Sequence, residues 1–201
     1  TDPDADRVGV AVRQGDDWRL ISGNEMGVLM LNYILSVKSQ LGTLPKKPMA
    51  VTTIVSTDLV KLVAPEYDCE IVETLTGFKF IGEQIKLFEQ TGSNNYVFGL
   101  EESYGCLAGT HARDKDGVVS ALIISEMAAY YYDKGMSLYE ALINLYDRVG
   151  YFKEDMISLT LSGIAGLEKI KEIMEHYRVN GMEEVAGIKV VEVKDYSKGI
   201  E

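Results

Sequence analysis

The chain opens with aspartates at every second position, in the stretch TDPDADR, and Arg7 follows them directly. Alternate side chains of an extended or tightly turned segment share a face, so the carboxylates of Asp2, Asp4 and Asp6 can converge. Converging carboxylates repel one another by roughly 1 kcal/mol per pair in water, and a divalent cation removes that cost. Oxygen ligands of this kind suit Mg²⁺. The spacing therefore favours a Mg²⁺ site at Asp2, Asp4 and Asp6, with a solvated acidic loop as the alternative.

A second polar stretch, GLEESYG at residues 99–105, follows a segment predicted to be a strand. Open α/β sheets bind their ligands at the carboxyl ends of the strands. The carboxylates of Glu101 and Glu102 and the hydroxyl of Ser103 can accept and donate hydrogen bonds to sugar hydroxyls. The alternative is a polar turn that binds no ligand.

A third stretch, THARDKDGV, carries the basic residues His111, Arg113 and Lys115. Arginine binds phosphate through a planar fork and lysine binds it as a point charge. The same stretch can begin a helix, with Asp114 or Asp116 as the N-cap. The two interpretations are compatible, because phosphate binding and helix capping use different side chains.

The stretch TGFK, residues 76–79, forms a similar glycine-containing turn between a predicted strand and a predicted helix. It adds another lysine, Lys79, at the start of that helix. We therefore count Thr76, Gly77 and Lys79 among the candidate substrate-binding residues.

Composition restricts the class of protein. The chain has 201 residues, enough for one or two domains, and a formal net charge of −11. Such an acidic chain is a poor match for a nucleic-acid partner, which needs clustered Lys and Arg. No signal peptide and no apolar run of about 18 residues is present, so we expect no membrane span. Cys69 and Cys106 are predicted to be free thiols of a cytoplasmic protein, with a disulfide between them as the alternative.

Hydrophobic periodicity predicts the strands and helices that must position these motifs. Residues 8–13 and 18–22, with polar residues between them, predict a β-hairpin. Further strands are predicted at 49–56, 69–75, 95–103, 151–161 and 188–201, and helices at 23–37 (with Asn24 as its N-cap), 58–65, 77–90, 115–135, 137–149 and 163–176. Strands and helices alternate three times, which predicts an α/β fold whose helices flank a largely parallel sheet.

Together the motifs resemble those of the α-D-phosphohexomutases. DPDADR resembles the metal-binding loop of that family, usually Asp-Gly-Asp-Gly-Asp-Arg, and GLEESYG resembles its sugar-recognition loop. TGFKFIGEQI and HARDKDGV match neighbouring segments in the same order. Four ordered motifs are far more specific than any one of them. Among the subgroups, the sequence is most similar to the bacterial α-phosphoglucomutases.

Two of the motifs depart from the family pattern. Pro3 and Ala5 stand where the commoner metal loop has glycines, and Pro3 fixes its own backbone φ. Tyr104 and Gly105 stand where some bispecific phosphomannomutases have Gly-His. The absence of that histidine favours glucose phosphates as substrates.

The resemblance also implies a domain organisation. Residues 1–22 would end the second domain and carry the metal loop, residues 23–150 would form the sugar-binding third domain, and residues 151–201 would end that domain and lead to a fourth. The family uses a phosphoserine loop in the first domain and a phosphate-binding loop in the fourth, and neither string occurs in this sequence. We therefore expect a fragment of a longer enzyme that is inactive without its remaining domains.

The activity implied by the resemblance is the interconversion of glucose 1-phosphate and glucose 6-phosphate. A phosphoserine would donate its phosphoryl group to the hexose phosphate, giving a glucose 1,6-bisphosphate intermediate, with Mg²⁺ as cofactor. Arg7 and Lys115 would be catalytic. The substrate-binding residues would be Thr76, Gly77, Lys79, Glu101, Glu102, Ser103, His111 and Arg113. The alternatives are a phosphomannomutase or phosphopentomutase of the same family, or a non-catalytic sugar-phosphate-binding module.

Overall fold

The computed structural model describes residues 1–155 and 160–198. The chain divides into two compact units, Thr1–Lys153 and Glu154–Glu201. Across the described residues, no helix combines the length and the apolar character that crossing a membrane requires. All of the candidate site residues belong to the first unit.

A four-stranded sheet forms the centre of the first unit, in the order β4-β3-β5-β6. Its strands are β3 (Pro48–Thr53), β4 (Glu70–Thr74), β5 (Asn95–Leu100) and β6 (Cys106–Ala108). β3 pairs in parallel with both β4 and β5, whereas β6 pairs antiparallel with β5. The predicted α/β fold with a largely parallel sheet is therefore confirmed. β6 was not predicted, because three residues are too few to show a strand period.

Helices flank this sheet on both faces. They are α1 (Gly23–Gln40), α2 (Val60–Val63, continued by a 3₁₀ turn at Ala64–Tyr67), α3 (Phe78–Thr91), α4 (Gly117–Asp133) and α5 (Leu138–Val149). Met49 and Val51 of β3 pack in a cluster with the apolar side chains of α3. Ala50, which lies between them, packs in the larger cluster that contains α1, α4 and α5. The continuous burial of β3 follows from this cover on both faces.

The predicted N-cap of α1, Asn24, is wrong. Ser22 caps the helix instead: its hydroxyl accepts a hydrogen bond from the Glu25 N–H, and the Glu25 side chain accepts one from the Ser22 N–H. This reciprocal capping box satisfies two backbone donors, more than a cap at Asn24 would. The Asn24 side chain instead accepts a hydrogen bond from the Thr57 N–H, at 3.1 Å.

The predicted hairpin is confirmed. It consists of β1 (Val10–Gln14) and β2 (Asp17–Ile21), paired antiparallel. The turn uses Gly15 in the left-handed conformation, with φ of 62°. Val10, Val12 and Ile21 pack with the main hydrophobic core. The hairpin therefore connects the acidic first residues to the body of the unit.

The second unit contains α6 (Gly163–Asn180), the two-residue strands β7 (Glu184–Val185) and β8 (Ile188–Lys189), and a 3₁₀ turn at Tyr196–Lys198. α6 was predicted, and it continues four residues beyond the expected end.

Two strands predicted in the C-terminal part of the chain are not found with their predicted bounds among the described residues. Residues 151–155 and 160–161 have no regular secondary structure, and residues 156–159 lie outside the described part. The predicted strand at 188–201 is reduced to β8, and residues 199–201 again lie outside. Val191 and Val193 remain exposed. An alternating pattern makes a strand only where a neighbouring strand supplies hydrogen bonds and packing.

The burial of two helix leucines predicts that replacing each by alanine should change the free energy of unfolding by different amounts. Leu142 on α5 is fully buried, whereas Leu122 on α4 is 67% exposed. Leu142→Ala should lower the free energy of unfolding by about 2–5 kcal/mol, because it removes buried contacts and leaves a cavity. Leu122→Ala should change it by less than about 0.5 kcal/mol. Urea denaturation of the 201-residue chain measures both, and similar losses in the two variants would contradict the assigned core.

Candidate active site

The acidic loop at the start of the chain brings its three aspartates together. One carboxylate oxygen from each of Asp2, Asp4 and Asp6 lies within 4.8 Å of the other two. The loop closes on itself, since the Ala5 N–H donates to the Asp2 carbonyl at 3.1 Å. The Arg7 N–H donates to the Asp2 carboxylate at 3.2 Å. Ala5 has a φ of 56°, a left-handed conformation that glycine adopts without the roughly 1–2 kcal/mol penalty of other residues.

The electrostatics of this loop fit a divalent cation. Asp6 Oδ1 is buried and has no hydrogen-bond partner among the described residues. Desolvation raises the pKa of Asp2, but the hydrogen bonds from the Arg7 N–H, from the Asp6 side chain and from its own backbone, together with the Arg7 charge, outweigh it, and the net pKa is lowered. The result is a set of convergent carboxylate oxygens, one of which is buried without a hydrogen bond among the described residues. Such a set suits a hard cation such as Mg²⁺.

The acidic loop is attached to the N-terminus of α4. Asp116 caps this helix, as one of the two predicted caps, through a 2.9 Å hydrogen bond from the Val119 N–H to its Oδ1. The Asp116 N–H donates to the Cys106 carbonyl at 2.9 Å, and the Gly117 N–H donates to the Ala5 carbonyl at 3.1 Å. A Cβ at position 117 would lie 2.6 Å from the Ala5 oxygen. Only glycine therefore permits this approach.

The GLEESYG turn lies beside the acidic loop. The Val8 N–H donates to the Tyr104 carbonyl at 3.3 Å, and an isolated antiparallel bridge joins Arg7 to Gly105. The turn itself is closed by a 2.9 Å hydrogen bond from the Glu101 N–H to the Gly105 carbonyl. Two of the predicted site segments are therefore in direct contact.

Glu101 connects the GLEESYG turn to the TGFK turn. Its side chain is buried, and Oε1 accepts a hydrogen bond from the Gly77 N–H at 3.0 Å. Gly77, with φ of 121°, precedes the first turn of α3. Burial raises the pKa of Glu101, although the Gly77 N–H and the charge of Lys115 oppose that shift. This carboxyl is thus a buried acceptor poised to protonate more readily than an exposed glutamate.

Lys115 lies between the acidic loop and the GLEESYG turn. Its Nζ lies 3.1 Å from Asp6 Oδ2 and 2.9 Å from Asp114 Oδ1, and only 12% of its side chain is exposed. The stem of Lys115 fills the space where any side chain at Gly105 would stand. Desolvation lowers the pKa of Lys115, but hydrogen bonds to Asp114 and Asp6 outweigh this and raise it. The group is therefore held as an ammonium ion.

The other predicted basic residues have partners outside the acidic loop. His111 Nε2 lies 2.9 Å from the Oδ2 of the helix cap Asp116. Arg113 Nη2 lies 2.7 Å from both carboxylate oxygens of Glu89 on α3. Lys79 is exposed, and its Nζ lies 4.6 Å from the centre of the Phe80 ring. The partners of these three residues are thus groups other than the aspartates of the acidic loop.

The remaining candidates differ in their surroundings. Thr76 is exposed and Ser103 is half-buried. The Glu102 carboxylate accepts hydrogen bonds from the hydroxyl of Thr53, the last residue of β3, and from the hydroxyl of Ser56. Sequence reasoning missed these two hydroxyls. The signal was present, since a threonine and a serine lie in the second half of the predicted strand 49–56, towards the expected ligand edge.

Comparisons with known proteins agree with this geometry. The profile of a family described as phosphoglucomutase/phosphomannomutase, alpha/beta/alpha domain III, matches residues 22–149. A phosphoglucomutase of Staphylococcus aureus is 38% identical over 197 residues, which cover 98% of this chain and 35% of that relative. The chain therefore spans about a third of the length of the curated relatives it matches.

Solved structures show the same fold. A putative phosphomannomutase from Thermus thermophilus superposes with a TM-score of 0.57 at 25% identity, over 73% of this chain and 29% of that one. An N-acetylphosphoglucosamine mutase variant from Aspergillus fumigatus, in complex with glucose 1,6-bisphosphate, superposes with a TM-score of 0.52 at 17% identity, over 71% of this chain and 31% of that one. The second likeness shows the fold alone.

The sheet order and the flanking helices define the α/β/α third-domain class of the sugar-phosphate mutases. The chain belongs to the phosphoglucomutase/phosphomannomutase family. The family assignment made from the four sequence motifs is therefore confirmed.

The raised pKa of Glu101 predicts a pH dependence of stability. Between its unfolded and folded pKa values, the folded chain binds more protons, so ionisation of Glu101 lowers stability as the pH rises through that window. Glu101→Gln removes this titration. The stability of the variant relative to wild type should therefore increase between about pH 4 and about pH 7, measured by urea unfolding at each pH.

The same substitution at Glu83, on the exposed side of α3, is the matched control. A relative stability of Glu101→Gln that stayed constant or fell as the pH rose would contradict the raised pKa.

Proposed function

We propose that this chain is the metal-loop and sugar-binding part of a phosphoglucomutase, which interconverts glucose 1-phosphate and glucose 6-phosphate through a phosphoserine elsewhere in the parent protein. The observation that carries the proposal is the junction of the acidic loop with the GLEESYG turn. That junction consists of the bridge between Arg7 and Gly105 and the 3.1 Å ion pair between Lys115 and Asp6. Metal ligands and sugar-recognition groups are thereby adjacent, as phosphoryl transfer to a sugar requires.

Asp2, Asp4 and Asp6 would hold Mg²⁺, which when bound offsets negative charge on the transferring phosphoryl group. Arg7 follows this loop, and its Nε lies 3.8 Å from Asp6 Oδ1. Its guanidinium can therefore keep the loop ordered and add positive charge beside the phosphoryl group.

We assign the recognition of sugar hydroxyls to Glu101 and Ser103. A buried ionised acceptor makes a stronger hydrogen bond than an exposed one, because water does not compete for it. An epimer that left such a group unpaired would cost about 1–3 kcal/mol. The GLEESYG turn would therefore discriminate between hexoses.

Lys115 is the proposed proton donor or phosphate contact. Its raised pKa keeps it protonated at neutral pH, which favours the phosphate contact, because an ammonium group whose pKa is raised gives up its proton less readily.

Thr76, Gly77 and Lys79 at the start of α3, together with His111 and Arg113, are proposed to contact the outer phosphate of the substrate. To do so Arg113 would exchange Glu89 for phosphate, two oxygens of which can likewise accept hydrogen bonds from one guanidinium group.

In the parent protein we propose that residues 1–22 end the second domain and residues 23–150 form the third. Residues 151–201 would lead to the fourth domain. The support is the match of the domain III profile to residues 22–149 and the greater length of the relatives. Glucose 1,6-bisphosphate, which the Aspergillus fumigatus structure contains, is the proposed intermediate.

Mannose phosphate is the second candidate substrate, because the Thermus thermophilus neighbour is described as a putative phosphomannomutase. The comparison of kcat/KM for glucose 1-phosphate and mannose 1-phosphate, with the full-length parent, decides between them. A preference for mannose 1-phosphate would overturn the proposed hexose and leave the mutase chemistry in place.

We predict that Asp4→Asn in the full-length parent lowers kcat by at least about 100-fold, because it removes a charged ligand of the proposed metal. The fold should persist, since Asp4 is exposed. The assay couples glucose 6-phosphate production to a dehydrogenase at saturating Mg²⁺. Asp16→Asn, at the exposed tip of the hairpin, is the control. Turnover near the wild-type rate in Asp4→Asn would exclude the metal assignment.

The isolated 201-residue chain is expected to fold but not to catalyse. The first unit contains a core sufficient for cooperative folding, whereas phosphoryl transfer needs charge and positioning from several sides. The test is the same coupled assay, with the bisphosphate added, next to a thermal melt by circular dichroism. Mutase turnover by this chain alone would show that one of its own residues carries the phosphoryl group.

A further inference from the structure

Glu102 is bound by a pair of hydroxyls from outside the GLEESYG turn. Its Oε2 lies 3.3 Å from Thr53 Oγ1 and 3.2 Å from Ser56 Oγ. The two hydroxyl oxygens lie 2.8 Å from each other. Thr53 is the last residue of β3 and is fully buried. The carboxylate therefore accepts charge-assisted hydrogen bonds from the end of a central strand.

The main chain of Glu102 is held as well. Its N–H donates to Ser56 Oγ at 3.2 Å. Its carbonyl packs against Gly23 so closely that any Cβ there would overlap it. The loop that carries Ser56 is itself closed by a 3.0 Å hydrogen bond from the Ser56 N–H to the Thr53 carbonyl. Glu102 is thus fixed through its side chain, its N–H and its carbonyl group.

These contacts give Glu102 a different role from its two neighbours in sequence. We infer that Thr53, Ser56 and Glu102 form a positioning cluster, which holds the GLEESYG turn in the geometry that binds substrate, and that Glu102 is not itself a sugar ligand. The inference rests on the proposed function and adds Thr53 and Ser56 to the residues that position its substrate-binding groups. It also replaces the earlier assignment of Glu102 as a substrate-binding residue.

The physical reason is that the turn's other outside contacts reach Glu101 and Tyr104, on either side of Glu102 and Ser103. Recognition groups must be held within a fraction of an ångström, and sites supported by rigid elements achieve this better than free loops. β3 pairs with strands on both sides and is buried along its whole length. A contact from its end therefore transmits the rigidity of the sheet to Glu101 and Ser103.

The experiment uses the full-length parent with hydroxyl-deleting variants and a neighbouring control. Thr53→Val and Ser56→Ala should each lower kcat/KM for glucose 1-phosphate by about tenfold, mainly through KM, because the binding geometry of the turn is loosened. Thr52→Val is the matched control, since the buried Thr52 Oγ1 has no hydrogen-bond partner among the described residues. It should stay within about twofold of wild type. Thr53→Ser, which keeps the hydroxyl, should restore most of the loss.

Combined variants separate positioning from direct contact. If Glu102 acts only through the cluster, Glu102→Gln should add less than about twofold to the loss already caused by Thr53→Val with Ser56→Ala. A further loss of about tenfold or more would mean that Glu102 contacts the substrate, and would overturn the inference. If Thr53→Val does not fold, Ser56→Ala is used alone with Glu102→Gln, since Ser56 is partly exposed, and the same outcomes distinguish positioning from direct contact.

The outcomes also separate this inference from the proposed function. A wild-type parent without hexose-phosphate mutase activity would refute the proposed function, and the cluster's role with it. An active parent in which Thr53→Val and Ser56→Ala match Thr52→Val would refute the cluster alone. Equal thermal melts for the variants, together with a raised KM, would support positioning over a general loss of stability.

Discussion

The start of α4 is the part of the structure on which the candidate site depends. Consecutive backbone N–H groups of Asp116 and Gly117 donate to the Cys106 and Ala5 carbonyls. These bonds tie β6 and the acidic loop to the same helix end. The unpaired N–H groups at a helix N-terminus also carry partial positive charge, which suits a nearby set of carboxylates. If this helix began one residue later, the acidic loop and the GLEESYG turn would lose their common anchor.

Charge explains why the largely buried Lys115 lies beside the acidic loop. The chain has a formal net charge of −11, and the site gathers carboxylates from the acidic loop and the GLEESYG turn. The ammonium of Lys115 pairs with Asp6, and its charge also lowers the pKa of Glu101 against the effect of burial. Its stem needs the space left by Gly105. The glycine and the lysine are therefore a matched pair, and enlarging the first would displace the second.

Much of this could be predicted from the sequence, because the strongest signals were local. Alternating strands and helices predicted the α/β sheet, and the aspartate spacing predicted a convergent loop that the structure brings within 4.8 Å. What could not be predicted depends on contacts between distant segments. The need for glycine at Gly117 arises from Ala5, more than a hundred residues earlier. Likewise Val191 and Val193 after β8 alternate like a strand, but belong to no strand among the described residues.

The topology explains why so many separate segments reach one place. β3, β4 and β5 run parallel, so the segments that follow them emerge at the same edge of the sheet. Thr53 ends β3 and Ser56 follows it, Gly77 follows β4, and Glu101 follows β5. β6 then returns antiparallel beside β5 and leads into the start of α4, which brings Lys115 back to that edge. One antiparallel strand at the side of a parallel sheet therefore closes the site around the acidic loop.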